Sequence, residues 1–395
     1  MVAIVTDVHY RMSLALIRDL AQAGVEVVTC ERERCRSSRS TPALGALSRH
    51  TSRHVWLPDG DGYLDALLDL CQEICLGHEC RPALLPVGAS TLALVSENRE
   101  RFSAFCGLCL PTPGQLALFN SKGQVSSLAA SLGIPVPEGR REDETLPDFL
   151  RRSPLPCVVK PVCGEKLGLT AADRYIIART EAEAEAACAR FSQLAGEPPV
   201  VQAYLPGGAL GCSVLAQDGR VLAAICHRRL REYPVSGGPS SCCASVDAPV
   251  LQEYAARMVG HTGYTGLAMF EFKEDGAGTP RLLEINPRVW GTFPLSRATG
   301  SGIPLLWCAL AWNAGNLDNP APLPETPVPQ RKKMIFAASD LMAAAGYLRR
   351  GKPGKALGAF ADLVNPTVRD GLFEWGDILP GLAYFRALLA KERHK

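Results

Sequence analysis

The sequence lacks the features of membrane, secreted and nucleic-acid-binding proteins. No apolar run approaches the roughly 18 residues that cross a bilayer, and the first run, VAIV, is short and has no basic leader before it. The 42 Lys and Arg nearly cancel the 40 Asp and Glu, so no basic excess attracts nucleic acid or an anionic membrane. We expect a soluble, cytoplasmic protein with no nucleic-acid or membrane partner.

Two nucleotide-binding fingerprints are also missing. The first turn, TDVHYR, has no GxGxxG pattern, which disfavours a dinucleotide-dependent dehydrogenase. The stretch VCGEKLG, residues 162–168, does not match GxxxxGK[ST], which disfavours a P-loop fold. Cysteine, in contrast, is abundant, with 15 residues, and Cys106 and Cys109 have zinc-like spacing. Because no second CxxC or HxxxH lies at a suitable distance, free thiols are favoured over a structural zinc site.

The order of strand and helix patterns predicts an α/β domain followed by α+β domains. At 395 residues the chain is too long for one ordinary core. Residues 1–115 alternate apolar strand runs with helical repeats, which predicts a parallel sheet with helices on its faces. Farther on, CSVLAQDGRVLAAIC and TGLAMFEFKEDGAGTPRLLEINPR predict two hairpins. The Pro-rich residues 320–329 predict a linker, and two amphipathic stretches beyond it predict a helical extension.

The run LLEINPRVWG turns polar side chains to one face of an apolar strand. They stand at every second position, where residues of a strand share a face: Glu284, Asn286 and Arg288. One interpretation is an ordinary half-buried strand with its polar face in solvent. The other interpretation is a binding site.

Pairing across the second hairpin adds a further carboxylate to this face. If Lys273 pairs with Pro280, then Glu271 pairs with Leu282 and lies diagonal to Glu284. Two carboxylates and an amide would then share a small volume, and hard oxygen ligands of this kind suit Mg²⁺ bound together with phosphate. The hairpin therefore predicts a magnesium site.

A lysine and a glycine-containing loop precede these strands. Lys160 ends the apolar run CVVK, so its ammonium either extends to solvent along its aliphatic stem or meets an anion at a cleft. The loop that follows contains Gly164, Lys166 and Gly168, and its backbone amides could turn towards phosphate oxygens.

The order of these motifs identifies a superfamily. Lys122 comes before LGIPVPEG, VVKP comes before a glycine loop, and VVQAYLPGG, Glu271 and EINPR follow. This order resembles the ATP-grasp superfamily, and HRRLREYPVSGGPS, residues 227–240, is similar to its carboxylate-amine ligase branch. The resemblance spans most of residues 1–315. It implies a Rossmann-like pre-ATP-grasp domain over 1–115, a small lobe over 116–200 and a large lobe with the magnesium site over 201–319. The sequence patterns beyond it predict a linker with a helical C-terminal extension over 320–395.

The resemblance also implies which residues bind ATP and Mg²⁺. The phosphate-binding positions match Lys122, Lys160, Gly164, Lys166 and Gly168. The hinge that holds adenine through backbone groups matches Gln202, Ala203, Tyr204 and Leu205, with Ala203 where the family often has an acid. The magnesium ligands match Glu271, Glu284 and Asn286, with Arg288 beside the γ-phosphate.

The loop HRRLREYP carries His227 and the three arginines Arg228, Arg229 and Arg231. Three arginines in four positions cannot all share one face, so we expect at least one to enter the site and neutralise a substrate carboxylate or acyl phosphate. The alternative is a solvated basic loop. His227 is either a general base for an amine or a structural hydrogen-bonding residue.

These observations predict an ATP-dependent ligase that activates a carboxylate as an acyl phosphate and joins it to an amine. Its partners would be a small-molecule carboxylate and a small-molecule amine, and a homodimer is left open. Two alternatives remain: a nucleotide-binding regulatory module without turnover, and an ATP-grasp phosphotransferase or carboxylase. The absence of a biotinyl-carrier segment argues against a biotin-dependent carboxylase subunit.

Overall fold

The computed structural model describes residues 1–395 except 39, 163–166, 168, 170–172, 236 and 394–395. The strands of the described residues are Val2–Val5 (β1), Glu26–Arg32 (β2), Arg53–Leu57 (β3), Ala83–Leu85 (β4), Cys157–Lys160 (β5), Ile176–Ala178 (β6), Val200–Ala203 (β7), Ala209–Gln217 (β8), Arg220–Glu232 (β9), Ser240–Ser245 (β10), Gly266–Glu274 (β11), Pro280–Asn286 (β12), Lys333–Ile335 (β13) and Arg369–Asp370 (β14).

The α-helices are Ser13–Gln22 (α1), Gly62–His78 (α2), Ala89–Glu97 (α3), Arg99–Ser103 (α4), Pro113–Asn120 (α5), Lys122–Ser131 (α6), Leu146–Arg152 (α7), Glu181–Ala195 (α8), Pro249–Thr262 (α9), Pro294–Thr299 (α10), Ile303–Gly315 (α11), Ala337–Arg349 (α12), Pro353–Val364 (α13) and Leu379–Arg393 (α14). Two short 3₁₀ helices cover Glu33–Cys35 and Leu44–Leu47. None of the helices in the described part of the chain is long and apolar enough to cross a bilayer.

The N-terminal residues form the predicted parallel α/β unit. Its sheet has the order β3-β2-β1-β4, and every pair of neighbours is parallel. All four residues of β1 are buried, as expected for a parallel strand with helices on both faces of its sheet. Helix α1 ends shortly before Gly24, whose positive φ of 78° suits a glycine after a helix. The predicted fold class is confirmed in this unit.

A small antiparallel sheet follows, with the order β6-β5-β7. Helices α7 and α8 cover it, and the aromatic rings of Phe149 and Phe191 lie in its core with Val159 and Val201. The last residue of β5 is Lys160, so the lysine is carried at the end of a buried strand. This sheet forms one wall of the site described below.

The largest sheet has seven strands in the order β12-β11-β8-β9-β10-β13-β14. One face packs on helices α5, α6 and α9, with Phe270 and Met258 among the buried residues. Residues on the opposite face, including Leu215, Ile225 and Met269, belong to the same core as the N-terminal unit. The large sheet is therefore buried on both faces over much of its area.

The predicted hairpin of β8 and β9 is present. Asp218 and Gly219 form its turn with φ of 49° and 78°, as a tight two-residue hairpin turn requires. Strand β9, however, extends to Glu232, whereas the sequence predicted a loop after Cys226. The prediction was wrong because β10 pairs with residues 227–232 and continues the sheet.

The second hairpin, of β11 and β12, is also present, but its predicted register was wrong. Glu274 rather than Lys273 pairs with Pro280, and a β-bulge then lies between the pairs Glu271–Glu284 and Phe272–Leu282. The bulge adds one residue to β12, so that Leu282 and Ile285 both face the apolar core. Glu271 consequently lies directly opposite Glu284 instead of diagonal to it.

The C-terminal region contains more than the predicted linker and helices. Residues 320–329 have no regular secondary structure, and α12 and α14 match the two amphipathic stretches. The sequence prediction missed α13 and the short strands β13 and β14, which extend the large sheet beyond β10. The domain boundaries after residues 115, 200 and 319 stay predictions.

Candidate functional site

The hairpin of β11 and β12 brings two carboxylates and an amide together. Glu271 and Glu284 are cross-strand neighbours on one face of the large sheet. The Asn286 amide donates a hydrogen bond to Glu271 Oε1 at 3.4 Å, and its Oδ1 accepts one from Arg288 at 3.2 Å. The three predicted magnesium ligands therefore lie side by side, with Arg288 next to them.

Two lysines from other elements reach the same carboxylates. Lys122 is the first residue of α6, and its Nζ lies 3.3 Å from Glu284 Oε2. Lys160 stands at the end of β5 with 9% of its surface exposed. Burial and the charge of Lys122 lower the pKa of Lys160 to about 8, while Glu284 and Glu271 act in the opposite direction. The site thus lies between the three-stranded and the seven-stranded sheets.

The pKa values of the two carboxylates are shifted in opposite directions because their neighbours differ. Burial and the adjacent charge of Glu284 raise the pKa of Glu271. Burial alone would also raise the pKa of Glu284, but Lys122 and Lys160 outweigh it, so the pKa is lowered. At neutral pH Glu284 is therefore the more firmly ionised of the two oxygen donors.

The charges of the site leave room for an anion. Glu271 and Glu284 face Lys122, Lys160, Arg288 and Arg229, whose guanidinium is 3.9 Å from Glu271 Oε2. Two negative groups against four positive ones leave an excess of positive charge in a partly buried volume. A bound polyphosphate would neutralise it, and the carboxylates with the Asn286 oxygen form a hard donor set that fits Mg²⁺.

Strand alternation separates the residues of HRRLREYP. The side chain of Arg229 is the arginine that reaches Glu271. Arg228 lies on the opposite face, where both of its terminal nitrogens pair with Glu274 at 2.8 and 2.7 Å. The structure therefore does not bring Arg228 into the site, and its predicted role there was wrong because residues 227–232 are a strand rather than a loop.

His227 and Arg231 serve structural contacts, and a β-bulge opposite Cys242 and Cys243 interrupts the alternation between Arg229 and Arg231. The His227 ring covers Gly211 on the neighbouring strand, and its Nε2 lies 3.3 Å from the Thr292 hydroxyl. Burial and the charge of Arg229 lower the pKa of His227 to about 3. Such a weak base is poorly matched to proton transfer near neutral pH, so the burial and the Thr292 contact favour the structural alternative over the general base. Arg231 is buried and pairs with carboxylates of the C-terminal helices.

The predicted hinge connects the small sheet to the large one. Gln202 and Ala203 end β7, and the Ala203 amide donates to the Glu138 carbonyl at 2.8 Å. Leu205 is buried, whereas the Tyr204 ring lies under the Lys273 ammonium at 4.6 Å.

Three of the predicted phosphate-binding residues, Gly164, Lys166 and Gly168, lie outside the described residues.

Other residues near the site were missed by the sequence reasoning. Lys273 lies two residues beyond Glu271 on the same strand face, so alternation alone could have found it. Glu232 lies 3.9 Å from Arg229, and burial raises the pKa of its carboxyl. Arg11 comes from the N-terminal unit, donates to the Ser240 carbonyl at 3.2 Å and stacks on a ring of the large lobe. No local pattern indicates that contact.

A family comparison agrees with this geometry. Residues 196–334 match the family described as "ATP-grasp in the biosynthetic pathway with Ter operon". This segment contains the hinge, the strand with Arg229 and the carboxylate hairpin. A comparison with curated proteins finds no match.

Solved structures share the fold over most of the chain at low identity. The biotin carboxylase of Campylobacter jejuni, in a β,γ-ATP complex, has a TM-score of 0.59 at 14% identity and covers 84% of this chain and 73% of its own. The ADP complex of PurK, N5-carboxyaminoimidazole ribonucleotide synthetase, has 0.59 at 12%, covering 89% and 84%. The L-amino acid ligase of Bacillus licheniformis has 0.52 at 18%, covering 80% and 73%.

Proposed function

Because this chain belongs to the ATP-grasp superfamily, we propose that it is an ATP-dependent ligase that joins a carboxylate to an amine and releases ADP and phosphate. The observation that carries the proposal is the convergence of Lys122 and Lys160 on the Glu271–Glu284 pair between two sheets. A half-buried solvent-facing strand would not gather a nearly buried lysine and an excess of positive charge around two opposed carboxylates.

Each group in the cluster has a proposed role. Glu271, Glu284 and Asn286 would hold Mg²⁺, which supplies neutralisation of the phosphate charge when bound. Lys122 and Lys160 would bind the phosphates of ATP as cations. Backbone groups of the hinge, Gln202–Leu205, would hold the adenine.

Two arginines suit the charge that develops during the reaction. Arg288 is fixed by its hydrogen bonds to Asn286 and to the Val289 carbonyl, which keeps its guanidinium beside the proposed metal ligands. Arg229 lies on the neighbouring part of the same face and would interact with the substrate carboxylate. Positioned cations of this kind are the main contribution of a protein to phosphoryl transfer.

The proposed chemistry has two steps. A carboxylate oxygen of the first substrate attacks the γ-phosphorus of ATP, and ADP leaves, so that an acyl phosphate forms. The amine nitrogen then attacks the acyl carbon, phosphate leaves with the carboxylate oxygen, and the proton that the amine loses passes to the departing phosphate. His227 has no proposed part in this step, because it is buried and in contact with Thr292.

Two alternatives compete with this proposal. Ala203, at a hinge position that often carries an acid, keeps a nucleotide-binding module without turnover possible. The biotin carboxylase with a TM-score of 0.59 keeps a carboxylase or another ATP-grasp phosphotransferase in consideration. These alternatives differ from a ligase in whether ADP release requires an amine and in where the carboxylate oxygen goes.

The test measures ADP release from Mg-ATP with pools of carboxylates and amines, for the native chain, Glu284→Ala and Glu274→Ala. Glu274 is the matched control, because it lies on the same hairpin but pairs with Arg228 on the opposite face. A ligase releases ADP only when both substrates are present. Glu284→Ala should lose this release, whereas Glu274→Ala should keep it. With ¹⁸O-labelled carboxylate, the phosphate formed carries one labelled oxygen.

Two results would contradict the ligase. Tight ATP binding without turnover under any pool supports the binding module, and ADP release that needs bicarbonate but no amine supports a carboxylase.

A further inference from the structure

Three side chains of the N-terminal unit bring nitrogen, oxygen and sulfur donors together. They lie far along the chain from the Glu271–Glu284 pair. His9 follows β1, Glu31 is near the end of β2, and Cys35 ends the 3₁₀ helix Glu33–Cys35. One donor atom from each lies within 4.8 Å of the others. His9 Nδ1 is 2.7 Å from Glu31 Oε2. The three residues thus converge at the carboxyl edge of the parallel sheet, where open α/β sheets bind ligands.

The fold holds the central carboxylate of this group in place. Glu31 Oε2 also accepts the His9 backbone amide at 2.8 Å, while Oε1 accepts the Arg32 amide at 2.8 Å. The Glu31 side chain is 1% exposed and that of His9 16% exposed, and Cys35 is buried. One edge of the imidazole therefore remains open to solvent, while the other two donors are shielded from it.

We propose that His9, Glu31 and Cys35 form a binding site for a single Zn²⁺ ion. Nitrogen, carboxylate and thiolate are the donors that zinc takes in proteins, and three protein ligands leave one position for water. A divalent ion with one carboxylate, one thiolate and a neutral imidazole has no net charge, which keeps the cost of burial low. This site uses no residue of the proposed ligase and stands independently of it.

Neighbouring groups support a three-ligand site. The next carboxylate, Asp7, pairs with Arg32 at 3.2 Å and accepts hydrogen bonds from Gly88 and Thr91, so it is already engaged. Zinc–ligand bonds of about 2.0 to 2.3 Å separate tetrahedral ligand atoms by roughly 3.3 to 3.7 Å. The three donors lie within 4.8 Å of one another and reach that spacing through small shifts, with His9 and Glu31 moving apart from 2.7 Å.

The ion would anchor the loop between β1 and α1. This loop carries Arg11, which contacts the Ser240 carbonyl and the Phe336 ring of the large sheet. Zinc would replace the hydrogen bond between the imidazole and Glu31, and the thiol proton would be released. Zinc binding therefore tightens as the pH rises.

The site is tested on the full chain, freed of metal with a chelator and titrated with zinc against a competing chromophoric chelator. The variants are Cys35→Ser and His9→Gln, whose side chains can still hydrogen-bond to Glu31, and Cys80→Ser, a partly exposed cysteine of the same unit, as the control. We expect one zinc per native chain and per Cys80→Ser chain. In Cys35→Ser and His9→Gln the affinity falls by about 100-fold or more, beyond the 10- to 100-fold effect typical of outer-shell partners.

Cobalt substitution and thermal unfolding provide readouts that do not depend on activity. Co²⁺ in the native chain should show thiolate-to-metal charge-transfer absorption that Cys35→Ser lacks. Zinc should raise the melting temperature of the native and Cys80→Ser chains, in which the site is intact, but not that of Cys35→Ser or His9→Gln. Equal zinc affinity of the native and Cys35→Ser chains would overturn the proposal, as would native chain that retains no zinc.

Discussion

At the scale of single residues, the site is defined by how Lys160 is buried. An ammonium at the end of an apolar strand, with 9% of its surface exposed, needs an anion, and the carboxylates opposite it already interact with Lys122. Burial makes the lysine sensitive both to substitution and to pH. Its partners, Glu271 and Glu284, are equally sensitive because they face each other directly.

Replacement of Lys160 by alanine should weaken ATP binding by roughly 10- to 100-fold, the loss expected for one charge-assisted hydrogen bond of about 1.5 to 3 kcal/mol. Calorimetric titration with Mg-ATP measures this effect. Lys352→Ala, an exposed lysine of the C-terminal region, is the control and should bind like the native chain. Unchanged ATP affinity of Lys160→Ala would remove the lysine from the phosphate site.

The affinity for ATP should decrease as the pH rises through about 8. Burial and Lys122 lower the pKa of Lys160 to about 8, so the free protein loses this positive charge above that value. Phosphate binds the protonated form, so its binding raises the pKa, and the dissociation constant increases on the alkaline side. The titration is repeated between about pH 7 and about pH 9.5. Lys160→Arg keeps its charge over this range and should give a flatter profile; an identical profile would contradict the assignment.

Glu271→Gln should increase the magnesium concentration needed for half-maximal ADP release, because one charged oxygen donor is lost while the shape is kept. The measurement is a magnesium titration at saturating ATP. Glu274→Gln serves as the control on the opposite face of the same strand. A normal magnesium titration of Glu271→Gln would exclude this residue from the ligand set.

At the scale of elements, strand alternation decides which arginine faces the Glu271–Glu284 pair. Residues 227–232 continue β9 because β10 pairs with them, so Arg228 and Arg229 point to opposite faces. The bulge in β12 also decides which side chains face the site, since it turns Glu284 towards Glu271 and leaves Leu282 in the core. One extra residue in a strand therefore determines how the proposed metal ligands face each other.

This alternation predicts opposite outcomes for two adjacent substitutions. Arg229→Ala should reduce ADP release about 10-fold or more, because a cation beside Glu271 and the proposed substrate carboxylate is lost. Arg228→Ala should leave the rate within about twofold and lower the free energy of unfolding by about 1 kcal/mol or less, as for a partly exposed ion pair. Steady-state rates and urea unfolding measure both. A loss of rate in Arg228→Ala larger than about twofold would show that Arg228 contributes to the site after all.

At the scale of the whole molecule, the C-terminal region packs against the large sheet and extends it by two short strands. Arg231 of β9 is buried and pairs with Asp340 of α12 and Asp362 of α13, each with a contact of 2.6 Å. Lys333 of β13 also binds Asp362, at 2.7 Å. Helices that the sequence predicted as an extension are thus joined to the sheet that carries the site.

Asp340→Ala should therefore lower the free energy of unfolding by about 3 kcal/mol, because it leaves a buried guanidinium with one carboxylate instead of two. Urea denaturation followed by circular dichroism measures the change. Glu253→Ala breaks an exposed ion pair with Arg257 and should cost less than about 1 kcal/mol. Similar losses in the two variants would show that the C-terminal helices contribute little to the stability of the lobe.

Much of the architecture follows from local sequence patterns. The sequence predictions that were wrong concern places where distant segments of the chain meet. The alternating apolar runs of the first 115 residues and the Asp218–Gly219 turn predicted their elements, because burial and turn conformation depend on neighbouring residues. The loop assigned after Cys226 and the simple register of the second hairpin were wrong, because pairing with β10 and packing of Leu282 and Ile285 are set by distant partners.

The amino-acid sequence alone indicated the resemblance to the ATP-grasp superfamily and the two carboxylates, the amide and the two lysines of the candidate site, because the order of motifs and the alternation within a strand can be read along the chain. Only the tertiary structure decided which arginine lies beside Glu271, that His227 is buried, and that His9, Glu31 and Cys35 meet. Those outcomes depend on which faces of separate strands oppose each other, and that is determined when the sheets pair and bury their apolar sides.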